Sequence, residues 1–216
     1  MTDRGMEAAR LGRTVGRKPA FSATDVVRAA LDEGVDSFTM TAVANRLGVV
    51  TAAIYRVFGS REELVFACLD AIAATFRVPE DGADWRGVLH LWADEGWRLC
   101  EENPGLDRAV YDYPAAFTRI EDVFAAYARA LAVHGWTRGQ AAFALDFIGD
   151  TVFSTHIGVQ AHRAVDEDGV SGLERARARS TAAAVLQPSD DWQDRGALDV
   201  KLAFVIRALD ADRPSL

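Results

Sequence analysis

The sequence predicts an all-α protein with a small N-terminal helical domain and a larger helical body. Apolar residues recur at three- and four-residue spacing, and capping residues and glycines divide the first third of the chain into short helices. No segment shows the strict alternation of apolar and polar residues that is typical of a β-strand. With 216 residues, half of them hydrophobic, the chain can bury a sizeable core in one or two domains.

The first helix is predicted by several agreeing signals after residue 20. Ser22 can cap its first turn, and Asp25 stands three residues later, as in a capping box. Phe21 and Val26 are spaced as a hydrophobic staple, and Gly34 ends the helix by taking a positive φ. By contrast, residues 1–20 show no apolar period and are predicted to form a flexible basic arm.

Three further short helices follow, and capping residues and a glycine again mark their ends. Thr39 caps a helix of two turns that ends before Gly48, and a third helix is expected over residues 51–58. Ser60 then caps a fourth helix, with Glu63 as its capping-box partner. Residues 21–66 therefore predict a helix-turn-helix unit, the arrangement that presents one helix to the major groove of DNA.

The body is predicted to extend over residues 67–216 in longer helices. Prolines and glycines mark most of the breaks between them. The expected helices span residues 60–76, 85–101, 106–112, 115–134, 138–163 and 192–211. Residues 164–190 are left open between a helix and a polar loop.

The charge of the chain is uneven. Net charge is −8, yet residues 10–61 hold eight basic and four acidic residues, whereas residues 67–216 hold 15 basic and 24 acidic ones. A basic front end on an acidic body is typical of a protein that touches a polyanion with one end.

The same inspection weighs against membrane, secreted and enzymatic classes. The longest apolar stretch, residues 141–161, is interrupted by Asp146, Asp150 and His156, which favours a buried helix over a membrane span. No secretory signal is visible, so a soluble cytoplasmic protein is expected, with Cys68 and Cys100 as buried free thiols.

No catalytic or metal-binding pattern stands out. The four histidines lack the four-residue spacing of a helical metal site, and no phosphate-binding glycine loop or nucleophile elbow is present. The adjacent pairs Asp94–Glu95 and Glu101–Glu102 are interpreted as solvated surface. We therefore expect no enzyme activity, cofactor or metal ion.

The motifs AALDEG, TMTAVANRLGV, IYRVF and SREEL, in this order within residues 21–66, resemble the TetR family of bacterial transcription regulators. The body resembles that family in length and helical character. The resemblance implies a homodimer whose two recognition helices enter successive major grooves of a palindromic operator. It also implies a small-molecule effector that binds in the body and releases the DNA.

The resemblance and the side-chain chemistry together give a set of DNA-binding candidates. Thr51, Ala52 and Arg56 are candidates for base contact, since arginine pairs with guanine and small methyl groups suit thymine. Phosphate contacts are expected from Thr39, Thr41, Tyr55, Ser60 and Arg61. Arg17 and Lys18 on the arm are expected to reach either the DNA backbone or the minor groove. The chain departs from the family pattern at Val50, which cannot cap, and at Val57, which cannot donate to a phosphate. Thr51 could take over the cap one residue later.

Candidates for the effector pocket and the dimer interface come from the body. The aromatic supply predicts an apolar or aromatic ligand, neutral or cationic. The expected pocket residues are Trp92, Trp97, Tyr111, Phe117, Phe147, Asp150, Thr151 and His156, with His156 alternatively a satisfied core residue. The last two long helices each carry two apolar stripes, of which one can face a partner subunit. The expected interface residues are Leu145, Ile148, Val152, Leu202, Val205 and Leu209.

The sequence thus predicts a ligand-responsive homodimeric repressor that binds double-stranded DNA. Two alternatives stay open: a helical ligand-binding or enzymatic dimer with a vestigial DNA-binding module, and an activator of the same fold.

Overall fold

A computed structural model describes residues 21–215 as a helical protein, confirming the predicted fold class. Within that range the one β-type pairing is an isolated antiparallel bridge between Val165 and Ser171. The helices are α1 (Ala23–Glu33), α2 (Met40–Arg46), α3 (Thr51–Tyr55), α4 (Arg61–Ala73), α5 (Trp85–Glu102), α6 (Leu106–Asp112), α7 (Glu121–Ala132), α8 (Arg138–Arg163), α9 (Gly172–Arg179) and α10 (Gly196–Ala211). Two 3₁₀ helices span Ala116–Ile120 and Asp190–Gln193.

Local capping signals predicted most helix starts. The Ser22 hydroxyl accepts from the backbone N–H of Asp25, whose carboxylate accepts in return from the Ser22 N–H at 2.9 Å, so the predicted capping box is present. Gly34 has the expected positive φ of +99°. At Ser60 the box is incomplete, because Glu63 accepts from the N–H of Gly59, at 2.7 Å, rather than from that of Ser60.

Several helix boundaries differ from the prediction, among them the end of α4, which lies at Ala73 rather than at residue 76. Helix α3 ends at Tyr55, three residues early, and the expected helix 115–134 divides into a 3₁₀ turn and α7. The last helix begins at Gly196 rather than residue 192, after a separate 3₁₀ turn. The open segment 164–190 contains α9, which starts with a capping box between Ser171 and Glu174.

Two apolar clusters form the core, and the buried residues of α4 belong to the first of them. The first cluster joins α1 to α4 with Leu99, Cys100, Leu106 and Ala109 of the body, and the second fills the space among α5, α7, α8 and α10. Both cysteines are buried free thiols, as predicted, and burial raises the pKa of Cys68 to about 12. The predicted domain boundary at residue 66 falls inside α4. This helix packs against both the DNA-binding helices and residues of the body, so it belongs to both parts of the chain.

Glu95 is buried, which contradicts its interpretation as solvated surface. Its carboxylate is fully inaccessible and accepts from the backbone N–H of Arg77 at 2.9 Å and the Nε of Arg77 at 2.6 Å. Arg98 donates to it from a second side at 2.6 Å. Burial opposes ionisation, but the hydrogen bonds from Arg98 and Arg77 outweigh it and lower the pKa of Glu95 to about 2. This ion cluster fixes the connection between α4 and α5.

The stripe predicted for the dimer interface lies in the chain's own core instead. Five of the six residues are at most 5% exposed within a single chain and Val205 is partly buried, so these side chains are not available to a second subunit: Leu145, Ile148, Val152, Leu202, Val205 and Leu209. The stripe left on the surface of α10 holds Val200 and Phe204, which are 73% and 66% exposed. None of the described helices is long and apolar enough to cross a membrane.

Candidate DNA-binding and effector sites

Helix α3 follows α2 across a tight turn at Gly48, whose φ of +67° favours glycine. Its apolar face, including Ala53 and Ile54, is buried against the domain core. Val50 occupies the N-cap position without a side-chain hydrogen bond, and the helix starts at Thr51, so Thr51 does not take over the cap. This helix is therefore held by packing rather than by a cap.

Most of the DNA-binding candidates within the described residues lie on the outside of this unit. Six are exposed: Thr39, Thr41, Ala52, Tyr55, Arg56 and Ser60. Thr51 is half-buried, and the Thr39 and Ser60 hydroxyls accept the backbone N–H groups of Ala42 and Glu63. The predicted contacts of Arg17 and Lys18 lie outside the described residues.

Arg56 is the available cation of this surface. Arg46 is held by Asp32 at 2.9 Å and Glu33 at 3.0 Å, and Arg28 lies 3.7 Å from Asp25. Among residues 21–66 of the described chain, Arg56 is the one arginine that forms neither an ion pair nor a side-chain hydrogen bond. A basic group without an internal partner is free to meet a phosphate or a base edge.

Arg61 is turned inward, which corrects its predicted role as a phosphate contact. Its guanidinium donates to the carbonyl oxygens of Phe38 at 3.0 Å and Asp36 at 2.6 Å, and also to the hydroxyl of Tyr113. It lies 4.7 Å above the ring of Phe38. Because these partners occupy its donors, Arg61 joins the DNA-binding unit to the body rather than facing DNA.

This junction, which we call the seam, consists of residues 34–38, Arg61, residues 104–105 and Tyr113. The N–H of Val35 donates to the carbonyl of Pro104 at 2.9 Å. Gly105 has a φ of +84°, and a Cβ there would lie 2.1 Å from the Asp36 carboxylate and 2.8 Å from the Asp36 backbone nitrogen. Position 105 therefore requires glycine for two independent reasons: its positive φ and the lack of space for a Cβ beside Asp36.

Gly105→Ala and Gly82→Ala provide a matched test of this contact. Both glycines have φ near +80°, so each alanine pays a backbone cost of about 1 kcal/mol, but nothing lies within 4 Å of a Cβ at Gly82. We expect Gly105→Ala to lower the free energy of unfolding by at least a further ~1 kcal/mol, because the seam must open. Chemical denaturation of both variants measures the difference; equal losses would mean that the seam adapts freely.

A cavity of about 210 Å³ lies between α4 and the helices of the body. Its polar groups are few, and Leu69, Ile72 and Ala73 of α4 form the wall on the side of the DNA-binding unit. Opposite stands α8, from which Asp150 accepts a hydrogen bond from the Tyr111 hydroxyl at 3.1 Å. The cavity is smaller than the roughly 300–1,000 Å³ typical of sites for drug-sized ligands.

The structure brings four of the eight predicted pocket residues to this cavity: Trp92, Tyr111, Phe117 and Asp150. The other four lie elsewhere. Trp97 packs edge-on against His156, whose Nδ1 lies 2.7 Å from the buried carboxylate of Asp107, so His156 is a satisfied core residue. Phe147 points outward and stacks on Phe143, and the Thr151 hydroxyl donates to the Phe147 carbonyl.

Several lining residues were not among the predicted set. Phe76 follows the end of α4, Phe124 lies on α7, and Asp146 and Phe153 lie on α8 one turn either side of Asp150. The spacing of Asp146, Asp150 and Phe153 on one helical face was a usable signal, because residues three and four apart are neighbours on a helix. Nothing local marks Phe76, which reaches the cavity through tertiary packing.

Comparison with known proteins finds a family match in the first domain. The sequence model of the bacterial regulatory proteins of the tetR family matches residues 27–68. An HTH-type transcriptional regulator of Saccharopolyspora erythraea is 28% identical over 199 residues, which cover 83% of each chain. An HTH-type transcriptional repressor of Streptomyces coeruleorubidus is 33% identical over 97 residues, which cover 42% of this chain and 36% of that protein.

Solved structures show the same fold over most of the chain. A possible TetR family transcriptional regulator from Streptomyces coelicolor superposes with a TM-score of 0.59 and 20% identity, covering 88% of this chain and 99% of that one. A TetR variant from Acinetobacter baumannii, crystallised in complex with minocycline, has a TM-score of 0.57 and 21% identity, covering 89% and 96% of the two chains.

Proposed function

We propose that this chain, whose residues 27–68 match the model of the tetR family of bacterial regulatory proteins, is a homodimeric repressor released from a palindromic operator by a small molecule. The observation that carries this proposal is the position of α4, which packs in the core of the DNA-binding unit and also walls the cavity. The Streptomyces coeruleorubidus relative is a repressor by its name, which supports repression over activation.

On DNA, α3 enters the major groove with Thr51, Ala52 and Arg56 toward the bases. Tyr55, 49% exposed, together with the Thr39, Thr41 and Ser60 hydroxyls, meets phosphates. Arg61 is left out of this set because the seam holds it. Val50 is 70% exposed at the start of α3 and supplies an apolar contact in place of a hydrogen bond.

Two copies of the chain pair through the outer faces of α8 and α10. These helices run antiparallel, since Lys201 contacts Thr155 at 2.9 Å and the Pro214 carbonyl contacts Gln140 at 3.2 Å. Their outward side chains Phe143, Phe147, Val200 and Phe204 are 42–73% exposed in a single chain. Large apolar side chains exposed on two adjacent helices are typical of a subunit interface.

A ligand in the cavity acts on DNA through α4 and α6. Leu106, Val110 and Tyr111 of α6 line the cavity, while Gly105 and Tyr113 at its two ends belong to the seam. A molecule that pushes α4 and α6 apart therefore displaces the seam. This displacement changes the distance between the two α3 helices of the dimer. DNA is released because two half-sites one helical turn apart tolerate little change in that spacing.

The test begins by selecting duplexes from a random pool with the purified chain, where a sequence with two-fold symmetry is expected. Arg56→Ala should then weaken binding to the selected duplex by about 10- to 100-fold and relax the preference at one base pair of each half-site. Fluorescence anisotropy at fixed salt measures both effects.

Arg129→Ala is the matched control, since it removes the same charge from an exposed position on α7 in the body. We expect it to change affinity by less than about twofold. Selection of no duplex at low salt would favour a vestigial DNA-binding module, and equal effects of the two variants would contradict the assignment of Arg56.

A further inference from the structure

The cavity wall is dominated by aromatic rings. Six contribute to it: Phe76, Trp92, Tyr111, Phe117, Phe124 and Phe153. Phe76 stacks on Trp92 with ring centres 5.2 Å apart, and Phe124 lies 4.9 Å from Trp92 on another side. The indole N–H of Trp92 is bound to the carbonyl of Leu145 at 2.8 Å, so this ring offers the cavity its π-system rather than a donor. The faces of such rings attract cations.

Two carboxylates stand in the same wall. Asp146 and Asp150 are one turn apart on α8 and both line the cavity. Asp150 accepts from Tyr111, and within residues 21–215 neither carboxylate forms a salt bridge. Burial and the neighbouring Asp150 raise the pKa of Tyr111 to about 12. Its phenol is therefore neutral near pH 7 and adds no charge to the cavity.

The described cavity lining holds one cationic side chain, Arg119, and this side chain is already paired with a carboxylate outside the lining. The guanidinium of Arg119 lies 3.6 Å from the carboxylate of Asp70 and 4.8 Å above the ring of Phe66, whereas neither of these residues lines the cavity. With Arg119 neutralised by Asp70, Asp146 and Asp150 give the cavity a negative balance. Both carboxylates are also exposed to solvent. An anionic ligand would face repulsion there, whereas a cation would gain an attraction that a neutral ligand lacks.

We propose that the effector is a small lipophilic organic cation, a quaternary or protonated amine with an aromatic or branched apolar body. The apolar body packs among the rings of Trp92, Phe124 and Phe153, and the charged end lies toward Asp146 and Asp150. The inference rests on the proposed function in taking this cavity as the effector site. It goes further by fixing the charge and class of the ligand.

Benzyltrimethylammonium and neopentylbenzene test the charge directly, because they share one shape and differ only in N⁺ against carbon. In calorimetric titrations of the full chain we expect the cation to bind about tenfold tighter than the hydrocarbon, the size of effect that cation–π contacts and a partly exposed ion pair provide. The variant Asp146→Asn/Asp150→Asn should remove that preference while leaving the affinity for neopentylbenzene within about twofold.

Glu121→Gln/Asp122→Asn is the control, since it removes two exposed carboxylates of α7 that do not line the cavity, and it should keep the preference for the cation. Equal or tighter binding of neopentylbenzene, or binding of neither probe, overturns the inference. The duplex selection above decides the proposed function separately: a protein that selects a symmetric duplex but prefers the neutral probe remains a regulator with a different effector.

Discussion

Phe204→Asp is expected to convert a protein of twice 23.5 kDa into one of 23.5 kDa at micromolar concentration. Phe204 is 66% exposed on α10 in a single chain, and we propose that its partner subunit covers it. Removing a central aromatic side chain from an interface commonly costs about 2–4 kcal/mol, and an unpaired buried carboxylate adds to that cost. Sedimentation equilibrium measures the mass.

The same variant should bind a symmetric duplex at least about 30-fold more weakly, because a monomer contacts a single half-site. Val185→Asp is the control: Val185 is 99% exposed, so the same charge there should leave mass and DNA affinity unchanged. A Phe204→Asp protein that stays dimeric would place the interface on another face.

Glu95→Ala should lower the free energy of unfolding by about 3 kcal/mol, the typical cost of breaking a buried ion pair. The substitution leaves the backbone N–H of Arg77 without its acceptor and separates the two arginines from their shared carboxylate. Glu102→Ala is the matched control on the same helix, because Glu102 also binds Arg98, at 2.5 Å, but is 55% exposed. Its expected cost is below about 1 kcal/mol, and equal losses in urea unfolding would contradict the role of burial.

The stabilisation by Glu95 should also depend on pH. The native pKa of about 2 lies below the ordinary value of 4.5, so the folded state favours the carboxylate and its contribution is fully present above about pH 4.5. Above pH 4.5 this contribution is about 3 kcal/mol, and it is lost progressively as pH falls from about 4.5 toward 2. The difference in unfolding free energy between the native chain and Glu95→Ala should shrink over that interval; a difference that stays constant would refute the low pKa.

Much of the local chemistry was readable from the sequence where the relevant partners are close in the chain. Ser22 with Asp25 forms the predicted capping box, and α8 spans the predicted residues 138–163. The turn at Gly48 and the exposure of Tyr55 and Arg56 follow from the same short-range pattern. Each of these features depends on groups within about one helical turn.

Long-range choices could not be read in this way. Both apolar stripes of α10 have similar composition, and only packing against α8 decides that Leu202 and Leu209 are buried while Phe204 is not. Arg61 has the position of a phosphate contact, yet its partner Tyr113 lies 52 residues away. The sequence pattern indicated a solvated Glu95, because Arg77, whose hydrogen bonds stabilise the buried carboxylate, lies in another segment of the chain.

The shared core around α4 limits how this protein can be recombined with its relatives. The apolar cluster that contains α1 and α4 also includes five body residues: Leu99, Cys100, Leu106, Ala109 and Ala116. A hybrid protein joined after residue 73 would therefore lack part of the hydrophobic core of the transferred DNA-binding domain. A working chimera has to carry the segment 99–116 together with residues 21–73. The unit that evolution can exchange intact is therefore discontinuous in the chain, and it includes one wall of the cavity between α4 and the body.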